Sequence, residues 1–198
     1  MIFPPLGHLI GAQKAATTSL AALLAAHPAV RVSEPKETHF LTAEWRRGPD
    51  WWRDRFAPGG EVLVDASTTC AMLALPGFPP GEPPWGTEPP ARLAGLRPDA
   101  RLIYMVRDPV DRLWSAYWHG VRSGWEKRPF DRAVAESPMY LAAGDYAAQA
   151  EAWLAHFPRE ALLFVDFRDF RRDPAGVARR CLAFLGIVGE DMDLPDER

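Results

Sequence analysis

Gly11-Ala-Gln-Lys14-Ala-Ala-Thr17-Thr18-Ser19-Leu20 is the stretch that decides the fold. Ahead of it, His8–Gly11 follows a Pro-Pro pair and reads as a short buried strand. Behind it, Leu20, Leu23 and Leu24 fall at helical spacing within Thr18–Ala26, and His27-Pro28 stops the pattern. A strand that enters a helix through such a turn leaves backbone N–H groups unpaired at the helix start, where they converge on an anion. Gly11 lets the chain turn sharply, Lys14 adds a full positive charge, and Thr17 and Thr18 bring hydroxyl donors. A plain strand–helix connection with Thr18 as N-cap is the simpler reading, but a cap explains neither the glycine nor the lysine.

Outward from this loop, apolar runs and helical patterns alternate. Val30–Ser33, Glu61–Asp65, Arg101–Val106 and Ala161–Asp166 read as strands. Asp108-Pro109 supplies an N-cap and a first-position proline, and the stripe Val110, Leu113, Trp114, Tyr117 and Val121 continues that helix. A further helix is expected over Asp145–Phe157. A last one opens at Asp173-Pro174, buries Val177, Cys181, Leu182 and Leu185, and closes at Gly186. Strands separated by helices, without tight hairpin signals, predict an α/β fold with a central parallel β-sheet flanked by helices. Ligands of such sheets bind beyond the C-terminal strand ends. Pro76–Pro90 holds seven prolines and is expected to be a surface loop.

The length of 198 residues suggests one domain, 1–198, able to bury a sizeable core. With 47% hydrophobic and 25% charged residues the chain has a soluble globular profile. A net charge of −3 gives no general attraction to nucleic acid or membrane, so an anionic ligand must be held by local donors. No segment approaches the roughly 18 apolar residues of a membrane span, and the N-terminus has no signal-peptide pattern. Cys70 and Cys181 form no CxxC pair; free thiols and a cytoplasmic location are expected, with no metal site.

A Walker A loop is the obvious rival for Gly11–Ser19. It requires Gly-Lys-Ser/Thr after four intervening residues, whereas Lys14 here precedes the threonines by three positions and follows no glycine. Asp65 at a strand end imitates a Walker B aspartate and keeps that rival open. Gly11–Leu20 resembles more specifically the 5′-phosphosulfate loop, GxxKxGTTxL, of sulfotransferases that use 3′-phosphoadenosine 5′-phosphosulfate (PAPS). Ala16 stands where that family usually has glycine. The resemblance implies a P-loop-like sulfotransferase fold and a donor held by Gly11, Ala12, Gln13, Lys14, Ala15, Ala16, Thr17, Thr18 and Ser19.

Arg101–Tyr117 resembles the second signature of the same family, in which a strand-end arginine and a later helical serine hold the 3′-phosphate; here these are Arg107 and Ser115. Guanidinium suits the task because it donates two parallel hydrogen bonds. The bland readings are an ion pair of Arg107 with Asp108 or Asp111 and a neutral helix position for Ser115, while Arg112 reads as structural. Pro35-Lys36-Glu37-Thr38-His39-Phe40 is similar to the KE-x-HFF segment of the heparan sulfate and carbohydrate branch. That similarity implies Glu37 as the base, the plainer reading being a solvated carboxylate. His39 is the rival base because its ordinary pKa lies near neutrality, the plainer reading being a packing histidine. Lys36 either binds an anionic acceptor or faces water. Glu61–Thr69 resembles the segment leading to the acceptor, but Ala66 replaces the lysine of many relatives. Asp65 there either orients Lys14 or the acceptor, or caps the strand end.

Trp45, Trp51, Trp52 and Trp85 lie outside the apolar stripes and either pack or stack on an acceptor. Trp114 and Trp153 follow helical spacing and are expected in the core. The resemblance spans Gly11–Gly186 and implies sulfuryl transfer from PAPS, without metal, to a hydroxyl or amine of a carbohydrate or small-molecule acceptor. The family usually continues into a later basic, glycine-containing loop, which this chain is expected to lack. A non-catalytic nucleotide-binding protein and a P-loop kinase or NTPase are the alternatives.

Overall fold

A computed structural model describes residues 6–73 and 88–187. Five strands form one sheet: β1 (Leu6–Gly11), β2 (Val30–Val32), β3 (Val62–Asp65), β4 (Arg101–Val106) and β5 (Leu162–Asp166). Their order is β2-β3-β1-β4-β5, and every pairing is parallel. The helices are α1 (Thr17–Ala25), α2 (Gly48–Arg53), α3 (Pro89–Leu96), α4 (Pro109–Arg122), α5 (Phe130–Glu136), α6 (Met139–Ala142), α7 (Tyr146–Leu154), α8 (Phe167–Arg172) and α9 (Pro174–Phe184).

Parallel strands covered on both faces are apolar throughout, and β1 is buried at every position. Gly7 gives α9 room to lean on the sheet, since a Cβ there would stand 2.5 Å from Leu185 Cδ2. Leu9, Ile10, Leu20, Leu24, Leu102, Ile103 and Trp153 lie at the centre of the core. Asp108, Asp145 and Asp173 each cap a helix with their side chains, and proline follows Asp108 and Asp173. Both cysteines are free and buried. No described helix is long and apolar enough to cross a membrane.

Several expectations are corrected. Val110 and Trp114 are 73% and 49% exposed, so Trp114 is not a core residue. The buried face of α4 is Arg112, Leu113, Ala116, Tyr117 and Gly120, a stripe shifted from the apolar one. Arg112 is accommodated there because it donates to the Tyr140 carbonyl. Trp52 is fully buried and stacks on Phe40, while Trp45 and Trp51 pack half-buried around the same ring. Of the proline-rich stretch, residues 76–87 and Trp85 lie outside the described residues. Pro89 and Pro90 are not loop; they open α3, where the first-turn N–H has no helical partner to lose.

Candidate active site

The connections after β1 and β4 leave in opposite directions. The chain passes from β1 to β2 on one side of the sheet and from β4 to β5 on the other. Adjacent parallel strands that part in this way open a crevice at their C-terminal ends. Both phosphate-binding candidates line it. Gly11 ends β1, and Arg107 follows β4 directly.

The loop after β1 is held at its base, where Ala12 N donates to Met105 O at 2.7 Å. Gly11 is required by close approach, because a Cβ would lie 2.5 Å from Ala71 Cβ in the 3-10 turn Thr68–Ala71. Lys14 and Ala16 adopt left-handed backbone angles, with φ of 69° and 65°. Ala16, not Thr18, occupies the N-cap position of α1, and no side chain caps that end. Thr17 is buried, Thr18 is exposed, and Gln13 and Ser19 are half-buried.

Arg107 donates from Nη1 to the Lys14 carbonyl at 3.1 Å, and its guanidinium lies 4.6 Å from the Phe167 ring centroid. The Arg107 Nε is buried without a hydrogen-bond partner. No ion pair joins Arg107 to Asp108, whose carboxylate instead accepts from Val110 N and Asp111 N. Burial, then Arg122 and Arg107, lower the Lys14 pKa, and among the described residues no carboxylate pairs with Lys14, Arg107 or Arg122. Ser115 is half-buried on α4. With His119 and Arg122 it falls at i, i+4 and i+7, one face of the helix. His119 feels the same centre: burial, then Lys14 and Arg122, lower its pKa, while Glu37 pulls it up.

Across from these cations, Glu37 Oε2 accepts from Thr68 N at 3.2 Å and Thr68 Oγ1 at 3.0 Å. Glu37 Oε1 accepts from Lys36 Nζ at 3.1 Å. Lys36 does not simply face water, since its ammonium also donates to Ala66 O at 3.0 Å. His39 Nδ1 lies 3.1 Å from Thr69 Oγ1, and His39 N donates to Ser67 Oγ at 3.0 Å. Asp65 neither orients Lys14 nor stands as a simple strand cap. It is fully buried, and its oxygens accept from Thr38 Oγ1, Trp52 Nε1, Ser67 N and Ser67 Oγ. The aspartate that kept a Walker B reading open is thus committed to the protein's own donors.

A family model described as a sulfotransferase domain matches residues 8–196. The chain belongs to the sulfotransferase domain family. Relatives include mouse heparan sulfate glucosamine 3-O-sulfotransferase 3A1, 31% identical over 92% of this chain and 46% of that protein. Human bifunctional heparan sulfate N-deacetylase/N-sulfotransferase 3 is 30% identical over 91% of this chain and 22% of its own length. This sulfotransferase domain therefore spans half or less of those two relatives. The solved structure of a sulfotransferase from Alicyclobacillus acidocaldarius superposes with a TM-score of 0.79 at 28% identity, covering 98% of this chain and 88% of that one.

Within this sulfotransferase domain, the Gly11–Leu20 loop and Arg107 lie together, joined by the Arg107–Lys14 hydrogen bond. His119 and Arg122 were missed as site residues. Their helical spacing from Ser115 is the signal that marks them, while the apolar stripe lies on a different face of α4.

Proposed function

We propose that this domain transfers a sulfuryl group from PAPS to a hydroxyl or amine of a carbohydrate or small-molecule acceptor. The observation that carries this reading is the convergence of Lys14, Arg107 and Arg122, without carboxylate partners among the described residues, opposite a hydrogen-bonded Glu37. Cations crowded together repel one another, and a polyanionic ligand relieves that repulsion. The buried, unpartnered Nε of Arg107 adds a donor suited to the same kind of ligand.

PAPS supplies an activated sulfuryl group whose transfer releases adenosine 3′,5′-bisphosphate. The loop 11–19 and Lys14 hold its phosphosulfate end, and Arg107 and Ser115 hold its 3′-phosphate. Glu37 takes the proton of the acceptor group as the acceptor atom bonds to sulfur and the bridging S–O bond breaks. Lys14 and the loop N–H groups stabilise the charge that grows on the departing oxygen, an interaction stronger in the transition state than in the ground state. The heparan sulfate relatives favour a sugar acceptor.

Incubation with PAPS and a panel of sugars, phenols and amines tests the reading, with release of adenosine 3′,5′-bisphosphate as the signal. Glu37→Gln should lower kcat by about 10²-fold or more, the usual contribution of a positioned base, with little change in bisphosphate affinity. Absence of both PAPS binding and transfer to any acceptor would reject the proposal.

A further inference from the structure

We propose that Asp65 is the positioning residue that fixes the Glu37 carboxylate in its working orientation, an inference that rests on Glu37 being the base. Asp65 ends β3, which is paired on both sides, and Asp65 itself is in register with His8 of β1. From there it joins two loops that are remote in sequence. Oδ2 accepts from Thr38 Oγ1 and from Trp52 Nε1 at 2.7 Å. Oδ1 accepts from Ser67 N at 2.9 Å and Ser67 Oγ at 2.5 Å.

Two of those partners, Thr38 and Ser67, adjoin groups at the reacting centre. Thr38 lies between Glu37 and His39. Ser67 Oγ accepts from His39 N, and the next residue, Thr68, donates to Glu37 through both its N–H and its hydroxyl. The loop that carries the base and the loop that hydrogen-bonds it are thus fastened to one buried carboxyl side chain. Asp65 has no solvent exposure and makes no hydrogen bond to Lys14 or Glu37, so it acts through the two loops and not on the acceptor itself.

The donor set dictates the test. Trp52 Nε1 and Ser67 N can only donate, and they approach different oxygens of Asp65. An asparagine has one accepting oxygen and one NH2 group, so Asp65→Asn sets a donor against either Trp52 Nε1 or Ser67 N and disturbs the network through which the two loops are held. A misplacement of about 1 Å at a reacting group costs on the order of 10²-fold in rate. In the full chain, Asp65→Asn is expected to lower kcat between about tenfold and a hundredfold, with KM for PAPS and bisphosphate affinity held within about twofold.

The deciding measurement repeats the substitution in a Glu37→Gln background. A residue that acts through Glu37 has nothing left to position there, so the kcat loss on adding Asp65→Asn should shrink to less than about twofold. A loss of equal size in both backgrounds overturns the proposal, as does unchanged kcat in folded Asp65→Asn. If Asp65→Asn does not fold, Thr38→Val and Ser67→Ala each remove one link, and Thr38→Ser restores the hydroxyl. Reduced kcat in the first two with recovery in the third supports the assignment, and wild-type kcat in Thr38→Val and Ser67→Ala overturns it. Full turnover in Glu37→Gln alone would instead refute Glu37 as the base, a separate failure that leaves transfer from PAPS standing.

Discussion

The Arg107 guanidinium donates to the carbonyl oxygen of Lys14 at 3.1 Å, across 93 positions of sequence. The strand-end arginine therefore braces the loop as well as offering charge to a ligand. Arg107→Ala should weaken adenosine 3′,5′-bisphosphate binding by about 1.5–3 kcal/mol, the range for hydrogen bonds to charged groups. Arg107→Lys should recover only a small part of it. One ammonium cannot reproduce a planar fork that serves the Lys14 carbonyl and a phosphate together. Calorimetric titration of the three proteins with the bisphosphate checks this.

Lys14 carries its charge next to Arg107 and Arg122, and these neighbours together with burial lower its pKa. Lys14→Ala should reduce kcat by about 10²–10³-fold, the scale seen when one preorganised donor to a developing anion is removed. Single-turnover rates at saturating PAPS would separate this loss from weakened binding.

Two imidazoles, one enclosed and one half-buried, set an acid limit on stability. His8 is buried in β1 with its Nε2 3.8 Å from Asp65 Oδ1, and burial lowers its pKa below 6.5 despite the pull of that carboxylate. His119 is lowered by burial, Lys14 and Arg122. In both cases the unfolded chain binds the proton more readily. Stability is then fully present above 6.5 and declines as pH falls from 6.5 through the folded values. Thermal melts across that range should show Tm dropping with acidification. His119→Gln should leave most of the slope, because His119 is only half-buried while His8 is enclosed.

Ala16 holds φ 65° and ψ 26° at the start of α1, a conformation that costs an L-residue about 1–2 kcal/mol. Ala16→Gly removes that cost but adds backbone entropy to the unfolded chain, so it should be neutral or stabilise by up to about 1 kcal/mol. Ala22→Gly, in the exposed interior of the same helix, should destabilise by about 1 kcal/mol. Denaturant unfolding of the two variants distinguishes loop strain from ordinary helix propensity.

Much of the fold was legible because its signals are local. Arg101–Val106 was bounded correctly as a strand, and the Asp-Pro starts of α4 and α9 were found from capping chemistry alone. The short helices α2, α3, α5, α6 and α8 were not found, being too brief to display a period or, in α3, hidden behind prolines. The outward turn of Trp114 was missed for a different reason. Its spacing is helical, but the face of α4 that meets the protein is chosen by Arg112, Leu113 and Tyr117 finding partners elsewhere in the chain.

The sequence by itself determined the β1–turn–α1 start and the parallel α/β class, because turn geometry, capping and hydrophobic period act over a few residues; Arg107 and Ser115 were singled out by family resemblance. Only the tertiary structure decided that Lys14, Arg107, Arg122 and His119 share one crevice, and that Asp65 fastens the loops around Glu37. Those relations follow from β1 lying between β3 and β4. Pairing strands so far apart in sequence depends on burying both faces of the whole sheet at once, which no local pattern encodes.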